Sequence, residues 1–187
     1  MKEKMIIVVG PSAVGKSTFV DRAISELSVL EDTKTYTTRK MREGESEGHP
    51  YHFVSSEKFL NLIKEDFFVE WAMVHQNHYG TPHYQISDAW EKGKVIIMDV
   101  DVQGALTFKS KYPNALSIFI HPPSIETLHQ RLVDRDGKES SDLELRLENA
   151  KKELQSSQQF DVQIVNDEFE SSYKHFKKII EEFIEKK

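Results

Sequence analysis

The strongest constraint on the fold is an eight-residue stretch that directly follows an apolar run, Met5–Val9. It reads Gly10-Pro11-Ser12-Ala13-Val14-Gly15-Lys16-Ser17 and matches the pattern of a phosphate-binding loop between a strand and a helix. Glycines let the backbone turn its N–H groups toward phosphate oxygens, Lys16 adds a positive charge, and the Ser17 hydroxyl is a magnesium ligand. The simpler alternative is a glycine-rich turn that opens an ordinary helix.

The composition excludes several other classes of protein. A chain of 187 residues fits one domain, and its net charge of −6 argues against coating of nucleic acid, which depends on Lys and Arg. Because there is no cysteine, disulfides, thiolate catalysis and cysteine zinc sites are excluded. The early first strand leaves no room for a signal peptide, and no apolar run reaches membrane-spanning length. We therefore expect a cytoplasmic protein with no nucleic-acid or membrane partner.

Apolar, β-branched runs recur along the chain and alternate with segments of helical spacing. They cover residues 5–9, 95–98, 116–120 and 162–165. This alternation predicts an α/β fold in which a parallel sheet is flanked by helices.

Two regions interrupt the alternation. Residues 34–84 mix short strand-like pieces with a short helix, which predicts an inserted α+β lobe. Residues 135–142 are polar and join two predicted helices, which predicts a mobile lid. The expected division is therefore a core of 1–33, 85–134 and 159–187, a lobe of 34–84, and a lid with its following helix at 135–158.

Short motifs follow one another along the lobe and the core. They are Thr37-Thr38-Arg39-Lys40-Met41-Arg42, Gly48-His49-Pro50-Tyr51, Phe68-Val69-Glu70-Trp71, His78-Tyr79-Gly80-Thr81, Met98-Asp99-Val100-Asp101-Val102-Gln103-Gly104 and Ile164-Val165-Asn166-Asp167. With the phosphate-binding loop, and in this order, they resemble the guanylate kinase family over essentially the whole chain. The resemblance implies a P-loop kinase with a GMP-binding lobe and a lid. The implied reaction is ATP-dependent, magnesium-dependent phosphorylation of GMP, and of dGMP, in purine nucleotide metabolism, by a monomer or a homodimer.

The resemblance assigns the acceptor phosphate to Arg39, Arg42, Tyr51 and Tyr79. Guanidinium groups bind phosphate oxygens in a bidentate manner, and tyrosine hydroxyls donate single hydrogen bonds. Without the surrounding motifs, solvated arginines and half-buried tyrosines would be the preferred explanation of these residues.

The guanine base is assigned in the same way to Glu70, Asp99, Thr35 and Thr81. A carboxylate accepts from both the N1–H and N2–H2 donors of guanine, and a hydroxyl donates to O6. Adenine lacks these donors, so we expect strict choice of base. A glutamate at a strand edge and threonines chosen for β propensity are the simpler alternatives.

The resemblance assigns phosphoryl transfer to Lys16, Arg39, Arg135 and Arg146. The acceptor phosphate is ionised near neutral pH, so positioning and positive charge suffice and no general base is needed. Magnesium is expected on Ser17 and, through water, on Asp101, for which a helix N-cap is the compatible alternative. The ATP-binding set adds Gly10, Pro11, Ser12, Ala13, Val14, Gly15, Thr18, Arg131 and Asn166.

Some residues depart from the family pattern. Ala13 stands where glycine is common in the loop, and Asp136 adds a negative charge beside Arg135. Two other functions are weighed against the kinase: a catalytically weak or silent module that binds a protein partner, and a related kinase for another phosphorylated acceptor. Silent modules typically lose loop or phosphate-binding residues, and these are retained here.

Overall fold

A computed structural model describes residues 3–42, 44–49, 51–74, 76–136 and 143–186, without the side chain of Asp136. The strands are β1 (Met5–Val9), β2 (Leu30–Asp32), β3 (Tyr36–Thr37), β4 (His52–Phe53), β5 (Phe68–Val74), β6 (Asn77–Pro82), β7 (Val95–Asp99), β8 (Leu116–His121) and β9 (Val162–Val165). The helices are α1 (Lys16–Glu26), α2 (Ser56–Lys64), α3 (His83–Glu91), α4 (Val102–Lys111), α5 (Ile125–Asp136), α6 (Leu143–Gln155) and α7 (Phe169–Glu185).

The core sheet has five parallel strands in the order β2-β7-β1-β8-β9. Each of the four apolar runs forms one of these strands, so the predicted α/β class is confirmed. The edge strand β2 was not predicted, because its three residues are too few to show a periodic pattern.

The central strand β1 is buried on both faces. Side chains alternate along it, so Ile6 and Val8 join one apolar cluster while Met5, Ile7 and Val9 join the other. The first cluster includes Phe19 of α1 and Phe176 of α7, and the second includes Ile86 of α3 and Phe108 of α4. Helices therefore cover both faces, which explains why the strand reads as an uninterrupted apolar run.

The inserted lobe has its own four-stranded sheet, in the order β4-β3-β6-β5. Strands β5 and β6 are antiparallel, with Glu70 opposite Thr81, and β6 also pairs antiparallel with β3. Strand β6 was not predicted, because Gly80 and Pro82 weaken its strand pattern. Two connections join lobe and core: residues 33–35 lead from β2 into β3, and β6 passes directly into α3.

Strand β5 forms one edge of the lobe sheet. Its outer end exposes Trp71 and Met73, with 47% and 61% of their surface accessible. The ammonium group of Lys111, from α4 of the core, donates a hydrogen bond to the backbone carbonyl of Val69. The core thus covers part of the edge of the lobe sheet.

Helices bound the predicted lid on both sides. Helix α5 continues through Asp136, so Arg135 lies on a helix rather than in the polar connector, and α6 begins at Leu143. Residues 137–142 of the connector lie outside the described residues. No helix in the described part of the chain is long and apolar enough to cross a membrane.

Candidate active site

The phosphate-binding loop joins the end of β1 to the start of α1, at the carboxyl edge of the parallel sheet. Gly10 has a φ of 144°, and a Cβ there would lie 2.4 Å from the Ile120 carbonyl oxygen. Gly15, the N-cap of α1, has a φ of 103°, and a Cβ there would lie 2.8 Å from Nδ2 of Asn166. Both positions therefore require glycine.

Ala13 adopts a left-handed backbone conformation, with a φ of 64°. A residue with a Cβ strains the backbone there by about 1 kcal/mol or more. This is the physical reason that glycine suits the position. The loop holds its shape although one of its residues disfavours that shape.

The ammonium group of Lys16 folds back onto the loop. It donates to the carbonyl oxygens of Gly10, at 2.7 Å, and Pro11, at 3.1 Å. Burial lowers the pKa of Lys16, and the negative charges of Asp99 and Glu153 oppose that change. The loop thus holds the positive charge of Lys16 against its own backbone.

Ser17 contacts Asp99 rather than Asp101. Its hydroxyl donates to Oδ2 of Asp99 at 2.7 Å, and Asp99 ends β7 directly beside Val8 of β1. Asp101 lies beyond the strand, where its carboxylate caps α4 by accepting from the Gly104 backbone N–H at 2.8 Å. Asp99 lies close to Ser17 because β7 ends beside the loop. Asp101 follows two residues later and therefore lies at the start of α4. The helix N-cap weighed for Asp101 is thus observed, and Asp99, which was expected at the base, is the aspartate that contacts Ser17.

Glu70 is a buried carboxylate that faces the core from the lobe. Thr81, opposite it on β6, donates its hydroxyl hydrogen to Oε1 of Glu70 at 3.1 Å. Burial raises the pKa of Glu70 to about 7, and the charge of Asp101 acts in the same direction. Gly104 lies close by, since a Cβ added there would be 3.4 Å from Oε2 of Glu70. Asp101 lies near the same glycine, with Oδ1 3.6 Å from the added Cβ, and Thr35 lies half-buried in the connection from β2 to β3.

Arg39 is held by Glu45, a residue that sequence reasoning missed. The two side chains form a bidentate ion pair with distances of 2.7 and 3.0 Å, and Glu45 also accepts from the backbone N–H of Arg42 at 2.7 Å. The bond to Arg39 lowers the pKa of Glu45. Arg39 lies over the ring of Tyr51, whose edge meets Tyr79 with ring centres 5.7 Å apart. The four residues expected at the acceptor phosphate thus occupy one region of the lobe, ordered partly by Glu45.

The arginines of α5 reach the phosphate-binding loop directly. Arg131 donates to the carbonyl oxygens of Asn166, at 3.0 Å, and Val14, at 3.5 Å. Arg135 donates to the Ser12 hydroxyl at 3.2 Å. Asn166 donates its side-chain amide to the same Val14 carbonyl at 2.8 Å. Arg146 is half-buried on α6, a helix that packs against α5.

Glu153 of α6 is a second residue that sequence reasoning missed. It lines a cavity of about 670 Å³ together with Asp101 and Gln103. Burial raises its pKa to about 7, while the charge of Lys16 acts in the opposite direction. No motif marks Glu153, because only the packing of α6 brings it near the loop. When ionised, Glu153 places a negative charge close to the ammonium group of Lys16.

Comparisons with known proteins agree over nearly the whole chain. The family model described as guanylate kinase matches residues 2–183. The chain is 53% identical over 184 residues to a guanylate kinase of Bdellovibrio bacteriovorus, covering 98% of this chain and all of the relative. It is 41% identical over 168 residues to one of Helicobacter pylori, covering 90% and 82%. The crystal structure of a guanylate kinase from Anaplasma phagocytophilum superposes with a TM-score of 0.81 at 30% identity, covering 98% of this chain and 87% of that one.

Proposed function

Because the chain belongs to the guanylate kinase family, we propose that its cleft transfers the terminal phosphoryl group of ATP to GMP or dGMP. The bond from that phosphorus to the β–γ bridging oxygen breaks, and a bond to a phosphate oxygen of GMP forms, giving ADP and GDP. One observation carries the proposal. A phosphate-binding loop with Lys16 and Ser17 lies on the core, and a buried carboxylate, Glu70, faces it from a lobe that also holds an ordered arginine, Arg39.

Recognition of the base rests on Glu70. In its ionised form it accepts from N1–H and N2–H2 of guanine, and Thr81 orients it through the bond described above. Asp101 and Thr35 complete this side of the cleft. We assign Asp101, rather than Asp99, to the base, because Asp101 lies beside Glu70 while Asp99 is bonded to Ser17.

Ser17 and Asp99 fit a magnesium ion. They are hard oxygen donors that lie together at the loop, where Asp99 acts directly or through water. No group of three or more His, Asp and Glu residues that could hold a metal ion occurs in the described ranges, so phosphate and water oxygens would supply the other ligands. When bound, magnesium supplies positive charge to the β- and γ-phosphate oxygens.

The remaining residues supply position and charge. Lys16 and the backbone N–H groups of the loop bind the phosphates of ATP, while Arg39, Arg42, Tyr51 and Tyr79 hold the phosphate of GMP. Arg131, Arg135 and Arg146 add positive charge from the side of α5 and α6, and Asn166, which donates to the Val14 carbonyl of the loop, is assigned to the side of the adenine. The acceptor oxygen is already ionised at neutral pH, so the chain needs to align two polyanions and stabilise the charge that moves between them.

ADP release with ATP and magnesium tests the proposal, using GMP, dGMP, AMP, UMP, CMP and ribose 5-phosphate as acceptors. We expect turnover with GMP and dGMP and at least about 10⁴-fold lower kcat/KM with AMP, because adenine leaves the buried carboxylate unpaired. No turnover with GMP would overturn the proposal. Turnover with AMP at a comparable rate would be consistent with a nucleotide kinase but would contradict the role of Glu70 in choosing the base.

A further inference from the structure

The two connections between lobe and core are joined by one side chain, that of Gln85. Gln85 lies in the first turn of α3, directly after β6 leaves the lobe. Its amide oxygen accepts from the backbone N–H of Lys34, and its amide nitrogen donates to the backbone carbonyl of Lys34 at 3.1 Å. Lys34 lies in the other connection, between β2 and β3. The side chain of Gln85, in one connection between core and lobe, therefore bonds both the N–H and the carbonyl of Lys34, in the other connection.

The hydrogen bonds of this contact resemble those between two strands of a sheet. A glutamine amide carries the same donor and acceptor as a peptide group, so it satisfies a backbone that has left one strand and not yet entered the next. The amide nitrogen also donates to the Tyr84 hydroxyl at 3.2 Å, which uses its second hydrogen. Gln85 is half-buried, and three hydrogen bonds fix the orientation of its amide group.

The Gln85 end of this contact is anchored in the core, and the Lys34 end lies next to a residue assigned to the guanine base. The neighbour of Gln85 on α3, Ile86, is fully packed in the core, as is Ala89 one turn later. Lys34 forms an ion pair of 2.8 Å with Asp32 at the end of β2, and the next residue is Thr35. A bond from α3 to Lys34 thus links a rigid helix to the residue next to the guanine site.

We propose that Gln85 is a positioning residue that sets the orientation of the GMP-binding lobe on the core. The inference rests on the proposed function, since it names the residue that places Thr35 and the lobe for GMP. Holding the lobe near its binding orientation lowers the conformational entropy lost when GMP binds. Gln85 is not among the residues assigned to either substrate, and it bonds the connection that leads to the lobe, so we expect its removal to affect GMP binding and to leave ATP binding unchanged.

Steady-state kinetics with the variants Gln85→Met and Gln85→Glu test this inference. Methionine keeps the length of the side chain without either hydrogen bond, and glutamate loses the donor to the Lys34 carbonyl. Two neutral hydrogen bonds are lost or weakened, so KM for GMP rises about threefold to thirtyfold. KM for ATP stays within about twofold, and kcat at saturating GMP within about threefold. Ser87→Ala is the matched control: Ser87 is exposed on the same helix and bonds only within it in the described contacts, to the carbonyls of Tyr84 and His83.

A direct measurement of lobe orientation separates positioning from general loss of stability. The chain has no cysteine, so Leu60→Cys on α2 and Glu91→Cys on α3 provide one labelling site in the lobe and one near the core. Without nucleotides, energy transfer between the two labels gives a broader or shifted distance distribution in Gln85→Met than in the same pair carrying Gln85 or Ser87→Ala.

The outcomes are distinct. An unchanged distance distribution, or equal rises in KM for GMP and ATP, would overturn the role of Gln85 even if the variants were less stable. If the unaltered chain failed to phosphorylate GMP, the proposed function would fall, while the distance measurement would still decide whether Gln85 orients the lobe.

Discussion

The phosphate-binding loop and the base-facing part of the lobe are built from different parts of the polypeptide. The loop consists of eight consecutive residues, and its shape is carried by backbone angles at Gly10, Ala13 and Gly15. The lobe site consists of side chains from separate segments, with Glu70 bonded to Thr81 and Arg39 bonded to Glu45. The comparison teaches that changes in the loop act through backbone conformation and one ammonium group, whereas changes in the lobe act through individual hydrogen-bond donors and acceptors.

The largest expected effect comes from the one charged side chain of the loop, in Lys16→Ala. Turnover falls about 10³-fold, because the positive charge that stabilises the transferring phosphoryl group is lost. The dissociation constant for GMP stays within about twofold, since the lobe is unaltered. Rate assays and calorimetric titration with GMP measure the two quantities, and Lys92→Ala, on the surface, is the control. Unaltered turnover would remove Lys16 from the mechanism.

In the lobe, Glu70→Gln keeps the shape of the side chain and replaces one acceptor oxygen with a donor. KM for GMP rises about 100-fold, because the new N–H group faces the donors of guanine, while the weak activity with AMP changes little. Competition assays with both nucleotides give the ratio of kcat/KM values. The exposed Glu57→Gln variant serves as the control, and an unchanged ratio between GMP and AMP would contradict the assignment.

The raised pKa of Glu70 makes the lobe site sensitive to pH near neutrality. Glu70 is half protonated at about pH 7, and guanine requires the ionised form. GMP affinity therefore rises roughly tenfold from about pH 6 to about pH 8 and then levels off. Titrations across this range test the expectation against Glu70→Gln, which retains only the dependence that comes from the GMP phosphate. Equal slopes in both proteins would show that Glu70 does not titrate there.

The smallest effect is expected from Ala13→Gly, which changes only the backbone strain of the loop. Glycine adopts the φ of 64° without a steric penalty, so the free energy of unfolding rises by about 0.5–1 kcal/mol. Thermal denaturation should show a Tm about 1–4 °C higher. The control Ala89→Gly, inside α3, should lower it, because glycine disfavours a helix interior. A lower Tm for Ala13→Gly would mean that the strain is relieved elsewhere in the loop.

The division between loop and lobe also explains how far the sequence could predict this protein. The loop and four of the five core strands were predicted closely, because their signals are local: the consecutive residues of the loop motif and the apolar runs of the strands. Glu45 and Gln85 were missed because their roles depend on partners that no periodic pattern marks. The placement of Asp99 and Asp101 depends on where β7 ends and α4 begins, a boundary that composition alone does not locate. The roles assigned to both aspartates and to the arginines remain predictions.

The bond from Lys111 to the Val69 carbonyl has a consequence for solubility. An open sheet edge offers unpaired backbone groups to a neighbouring molecule, and β5 combines such an edge with the exposed Trp71 and Met73. An added strand would have to displace the ammonium group from that carbonyl and make room beside α4. The contact that joins core and lobe within one molecule therefore also works against edge-to-edge aggregation between molecules.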